Sequence, residues 1–213
     1  MSGRDEVVVR PARRADLRSA AEIYLAAFPD SVRELGLKGI RPAAVADVFG
    51  IAFAAEREAF LMADVGASPI GYVVCSSDVA RLRWATLPIL PGLVRRWLMG
   101  RYGVGLRAVL RLVRDKQVFS RHPDPPGAGC PARVLSLAVH PRGQGHGLGK
   151  ALMAAALDYL RGRGATCVRL EVRPDNAAAR HIYESLGFRD VGRVQDTRGP
   201  WDVMLLELGS SDD

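Results

Sequence analysis

Residues Arg133 to Leu152, RVLSLAVHPRGQGHGLGKAL, leave the chain few structural options. They open on an apolar run in which Val134, Leu135, Leu137 and Val139 suit a buried strand. His140-Pro141 ends that strand, because proline has no N–H for a ladder and restricts the residue before it. Arg142-Gly143-Gln144-Gly145-His146-Gly147 follows, and Leu148, Gly149 and Lys150 begin a helical pattern. Glycines let the backbone come close to a ligand, and the free N–H groups of a helix start attract anions. A phosphate or pyrophosphate is the guest this turn predicts. A nucleotide-binding P-loop is excluded, since Gly149-Lys150 is followed by Ala151 and no hydroxyl is available for magnesium. The dinucleotide pattern G-x-G-x-x-G fails too, because Gly143, Gly145, Gly147 and Gly149 are spaced by two throughout.

Downstream, Ala165 to Val172 reads as another strand. Asn176-x-x-Ala179-x-x-x-Tyr183-x-x-x-Gly187-Phe188 then has a simple physical sense. Asn176 can cap the helix after Pro174-Asp175. Ala179 and Tyr183 share a helix face, with the small residue leaving room beside the ring. Gly187 stops the helix and Phe188 begins the next strand.

Arg142-x-x-Gly145-x-Gly147 directly after a strand, followed at this distance by the Asn176–Tyr183 block, resembles the GCN5-related N-acetyltransferase (GNAT) superfamily. The resemblance implies an α/β fold: a mixed, mostly antiparallel central sheet flanked by helices. It implies acetyl-CoA as acyl donor and no metal. The expected coenzyme contacts are the strand residues Leu137, Ala138 and Val139 for the pantetheine arm. The amides of Gln144, Gly145, His146, Gly147, Leu148 and Gly149 are the expected pyrophosphate cradle, with Gly143, Arg142 and Lys150 beside it. Asn176 and Tyr183 should reach the pantetheine and thiol. Tyr183 is the implied general acid, since a phenol of pKa ~10 is protonated at neutral pH. The run L-E-V-R…N-x-x-A-x-x-x-Y-E-x-L-G-F, from Leu170 to Phe188, is similar to the ribosomal-protein N-terminal acetyltransferases of that superfamily. By that likeness Glu171 is the general base. An ion pair with Arg169 or Arg173 is the competing reading of Glu171, a half-buried helix position that of Tyr183, and His140 or His146 are alternative bases. Val194 to Arg198 departs from that subfamily, which carries paired aromatics there.

The chain has 213 residues, enough for one domain with a full core, expected over 1–208 with a disordered tail at 209–213. Three distant cysteines, Cys75, Cys130 and Cys167, predict neither a disulfide framework nor a zinc site, and so a reducing cytoplasm. No run of ~18 apolar residues spans a bilayer. Between Arg81 and Arg121 stand ten basic side chains against Asp115 alone. That exceeds the whole chain's net charge of +7, so the remainder is net acidic. A nucleic-acid binder spreads its basic footprint over the domain, and no nucleic-acid partner is expected.

In chain order the pattern predicts a strand at Val7–Arg10, then a helix carrying Leu17, Ala20, Ala21, Tyr24 and Leu25. A loop is expected from Ser31 to Arg41, then a helix from Pro42 and a hairpin of Phe60–Val65 with Pro69–Cys75. In the resembling family the first two helices wall the acceptor site, so Tyr24, Phe28 and Glu34 are candidate substrate contacts. The basic segment 77–131 is a helical insertion between the third and fourth strands, foreign to the family. Pro88 and Pro91 are expected to break it, leaving helices at Leu93–Met99 and Val104–Phe119. It reads as a hairpin with a solvated face, as a lid drawing an anionic acceptor or the coenzyme phosphates, or as a basic surface resting on a membrane. The expected function is acetyl transfer to a primary amine by direct attack, on a small molecule or a peptide or protein N-terminus. A non-catalytic acyl-CoA sensor and a membrane-associated acyltransferase acting on a precursor amine are the alternatives, and a homodimer is left open.

Overall fold

Nearly continuous burial along the central strands marks a sheet covered on both faces, and each face has its own helices. The computed structural model describes residues 7–34, 36–37, 39–106, 129–196 and 199–209. Its strands are β1 (Val7–Pro11), β2 (Phe60–Val65), β3 (Ser68–Ser76), β4 (Arg133–Val139), β5 (Cys167–Val172), β6 (Arg189–Asp196) and β7 (Gly199–Glu207). They form one sheet in the order β1-β2-β3-β4-β5-β7-β6. Every neighbouring pair is antiparallel except β4–β5, which is parallel. The chain is thus the mixed, mostly antiparallel α/β fold that the motifs imply.

One face packs on α5 (Leu148–Gly162) and α6 (Ala177–Ser185), where Leu152, Met153 and Leu160 meet Val134, Val168 and Leu170. The other packs on α1 (Asp16–Ala27) and α3 (Pro42–Ala55), where Ala20, Ile23 and Phe49 meet Phe60, Met62 and Tyr72. Pro42 begins α3 as expected, its missing N–H falling where the helix needs none. The loop expected from Ser31 is shorter, because α2 (Pro29–Glu34) continues as a helical turn after Phe28, with Pro29 at its first position.

Two further expectations are overturned. Pro88 and Pro91 do not break the insertion: both lie inside α4 (Val79–Leu98), which starts on an Asp78 carboxylate that accepts from Ala80 N at 2.8 Å. Both prolines are on the exposed side of the helix, so the carbonyls they leave without an N–H can turn to water. The helix expected at Val104–Phe119 lies outside the described residues beyond Leu106, as does the tail from residue 210. Arg96 pairs with Asp47 of α3 at 2.5 Å, and the Tyr102 hydroxyl donates to the same carboxylate at 2.6 Å.

Second, Cys130 and Cys167 form a disulfide, with Cα atoms 5.7 Å apart. Thirty-seven residues separate them, but β4 and β5 are parallel neighbours, so the starts of the two strands meet in space. Disulfides persist in oxidising surroundings, so the cysteine argument for a reducing compartment falls. Among the described residues no helix is long and apolar enough to cross a membrane.

Candidate active site

A break in the sheet creates the site. β4 and β5 share one paired position, Arg133 with Arg169, and Arg169 N donates to Ala132 O at 3.0 Å. On its other side β4 follows β3 with a register step: Val74 faces Ser136 while Cys75 faces Val134, so Leu135 is an extra residue. Such a bulge bends its strand and strengthens the local twist. Beyond it β4 leaves β5, and alternate residues of an antiparallel strand turn their main-chain groups away from the partner, here into the gap.

The gap is a cleft of about 450 Å³. Leu135, Ser136 and Leu137 form one side, Leu170 to Arg173 the other, and Asn176, Ala179 and Tyr183 close an end. Tyr24, Phe28 and Glu34, on or beside α1 and α2, line the same space. The structure therefore brings together Leu137, Glu171, Asn176 and Tyr183 with the three expected wall residues. Ala138 instead buries its side chain under α1 and α3, Val139 packs toward α5, and neither lines the cleft.

The glycine turn follows β4. A Cβ on Gly143 would sit 2.7 Å from Ile70 Cγ1, and one on Gly149 3.1 Å from Ile182 Cδ1. Gly145 and Gly147 have φ of +81° and +76°, a backbone that other residues rarely adopt. Gly147 precedes α5, and no side chain caps that helix, so the amides of Leu148, Gly149 and Lys150 start it open. One residue of the expected cradle is tied into the turn itself. Gln144 N donates to Pro141 O at 3.4 Å, and the Gln144 side chain donates to Val139 O at 3.2 Å, so Gln144 holds the turn. The histidines hold it too: His140 Nδ1 accepts from Arg142 N at 3.2 Å, and His146 Nδ1 lies 2.9 Å from Gln144 O. Neither histidine lines the main cleft. Arg142, Gly143, His146 and Leu148 line a separate hollow of about 550 Å³ with Val7, Val65 and Ile70.

Tyr183 is 8% exposed, its ring centre 5.9 Å from that of Phe188. Burial pushes its phenol up to about 12, so the proton is held firmly. Asn176 Oδ1 accepts from Ala179 N at 3.1 Å, the cap that the sequence predicts. Glu171 is not free. Its carboxylate lies 2.8 Å from Arg169 Nη2 and 3.6 Å from Arg133 Nη1. Arg169 is 1% exposed, and burial lowers its guanidinium pKa against the opposing pull of Glu171. Among the described residues Arg169 Nε and Nη1 have no hydrogen-bond partner. Arg173 donates to Pro200 O at 3.2 Å and lies over the Trp201 ring at 5.2 Å. The ion pair is with Arg169, one of the two partners the sequence offered, and the two-residue step puts both side chains on one strand face. Arg133 and Trp201 were not singled out in the sequence.

The model of the acetyltransferase (GNAT) family matches residues 108–188 of this chain. Over 81 residues the chain is 48% identical to the [ribosomal protein bS18]-alanine N-acetyltransferase of Escherichia coli K12, 36% of this chain and 55% of that one. Over 67 residues it is 43% identical to the mycothiol acetyltransferase of Renibacterium salmoninarum, 32% of this chain and 20% of that one. The chain thus spans between a fifth and about half of the length of these curated relatives. The crystal structure of SsHAT superposes with a TM-score of 0.71 at 25% identity, covering 95% of this chain and 98% of that one.

Proposed function

We propose that the protein is an acetyl-CoA-dependent N-acetyltransferase that acetylates a primary amine by direct attack. The observation that carries this reading is the opened β4–β5 pair, with the Leu135 bulge on one strand and Glu171 on the other. Acetyl-CoA supplies the thioester. The open amides of the turn from Gly145 to Gly149 and at Lys150 would hold its diphosphate, and the β4 edge from Leu137 to Val139 its pantetheine arm. Gly143 lets that turn lie against Ile70, and Arg142 adds charge from its far side.

Glu171 takes a proton from the arriving ammonium, directly or through water. The freed nitrogen lone pair attacks the thioester carbon, and a β4 amide steadies the oxyanion. The C–S bond then breaks as the Tyr183 hydroxyl gives its proton to the leaving sulfur; the second amine proton restores Tyr183, and Glu171 passes the first to solvent. The products are an acetamide and free coenzyme A, with one proton to solvent. Cys75 is no nucleophile for a two-step route: it is buried, donates to Ala59 O at 3.2 Å, and burial first and Glu56 second push its thiol up to about 12.

Asp30, Glu34, Glu171 and Asp175 line the cleft against Arg173, which favours an acceptor that arrives protonated. One named relative is a ribosomal-protein alanine N-acetyltransferase and another a mycothiol acetyltransferase, so peptide N-termini head the panel. Described arginines of the basic insertion do not line the cleft, which leaves the anionic-acceptor lid without support. The ion pair on Glu171 favours one competing reading, a non-catalytic acyl-CoA-binding domain. Thiol release from acetyl-CoA on a panel of peptides, polyamines, aminoglycosides and amino sugars separates the two. Turnover on one amine is expected; tight coenzyme binding with no thiol release on any of them supports the binding domain.

A further inference from the structure

α4 carries an apolar stripe that nothing in the described chain covers. Its inner side packs on α3 and is fixed there by Arg96 and Asp47. Its outer side shows Trp84, Leu87, Leu90, Val94 and Leu98, which are 73%, 59%, 48%, 45% and 71% exposed. Steps of three and four residues keep them on one face over the whole helix. A solvated helix places charge on that side, so the stripe is a surface made to be covered.

Charge selects the cover. Arg81, Arg95 and Arg101 are exposed beside the stripe. No Asp or Glu stands between Asp78 and Asp115. A second copy of the chain would bring these arginines against each other in either direction, with no acid on the helix to compensate. A nucleic acid would need the basic groups at the centre of the face, where Leu87 and Val94 stand. An anionic lipid surface matches both parts, apolar groups entering at headgroup depth and arginines remaining among the phosphates.

We propose that α4 lies flat on an anionic bilayer, with Trp84, Leu87, Val94 and Leu98 inserted at the headgroup boundary. The contact is peripheral, and it is independent of the acceptor that the cleft takes.

The test uses the full chain with vesicles of phosphatidylcholine alone or mixed equally with phosphatidylglycerol. The chain is expected to sediment with the mixed vesicles, to stay in solution with neutral ones, and to be released by salt. The double variant Leu87→Glu, Leu98→Glu changes only exposed side chains and should bind the mixed vesicles ~10-fold less or worse. Its coenzyme A affinity should equal that of the unchanged chain, which verifies folding. Should that variant misfold, brominated acyl chains decide with the unaltered protein: Trp fluorescence must be quenched, and Trp84→Phe must remove most of the quenching. Failure of the native chain to sediment with mixed vesicles overturns the proposal. So does equal binding by a folded double variant, or a native dimer that this variant dissociates while neither touches lipid.

Discussion

Arg169 and Glu171 sit two residues apart on β5, and their pairing decides how the cleft is charged. A guanidinium with almost no exposure is costly to bury, and Glu171 offsets that cost at 2.8 Å. Replacing Arg169 by Ala leaves that carboxylate with Arg133 alone, and urea unfolding should show a loss of about 3 kcal/mol. Glu171→Gln should slow turnover ~100-fold near neutral pH and less at alkaline pH, where the free amine is already abundant. A pH–rate profile with equal losses across the range would remove Glu171 from the proton path. Tyr183→Phe should reduce kcat ~100-fold or more while leaving coenzyme binding unchanged. With the native tyrosine pushed up to about 12, its acid form persists, so kcat should not decline up to pH ~10 on its account. At this scale Asn176 and Tyr183 were legible in the sequence because a helix fixes their spacing locally. The Arg133–Glu171 contact was not, since it depends on which strands become neighbours.

Among the elements, the glycine turn was read almost whole, because each glycine answers a local demand. Gly147 before α5 needs a left-handed backbone, so Gly147→Ala should lower stability by about 1 kcal/mol and weaken coenzyme A binding in calorimetry. The insertion was read less well. Proline argues against a buried helix interior, but α4 keeps Pro88 and Pro91 toward solvent, where the lost hydrogen bonds cost less. The disulfide was missed for a topological reason. Parallel strands joined by a helical crossover start at the same end of the sheet, and no spacing rule within the sequence shows that. For a loop of 37 residues, chain entropy assigns the bond about 4 kcal/mol. Replacing Cys130 and Cys167 by Ser should lower the unfolding free energy by an amount of that order, and a loss below ~1 kcal/mol would show the bond to be structurally idle.

Across the whole molecule the two helical layers meet at Glu56, which follows α3 on one face of the sheet. Its carboxylate accepts from Ser76 Oγ and Ser77 N, both at 3.0 Å, and from Tyr159 of α5 at 2.8 Å. Burial opposes its charge, but the hydrogen bonds outweigh it and hold the carboxyl below its usual range. A depressed carboxyl pKa adds stability above the unfolded value of ~4.3 and loses it as pH falls through the folded one. Glu56→Gln should therefore flatten the acid limb of a stability–pH curve measured by urea unfolding. The mixed, mostly antiparallel sheet flanked by helices followed from the resemblance. This buried junction did not, because its partners lie 20 to 103 residues apart.

The Cys130–Cys167 bond lies beside the single rung that β4 and β5 share, at the foot of the cleft. Two blades riveted near their pivot can part only at the tips. Any breathing that admits a bulky guest is then confined to the stretch from Leu135 to Val139 and its counterpart after Glu171. Cutting the rivet with a reductant would let the blades slide lengthwise as well as spread, loosening the aim of one reactant at the other without touching a single group that handles a proton.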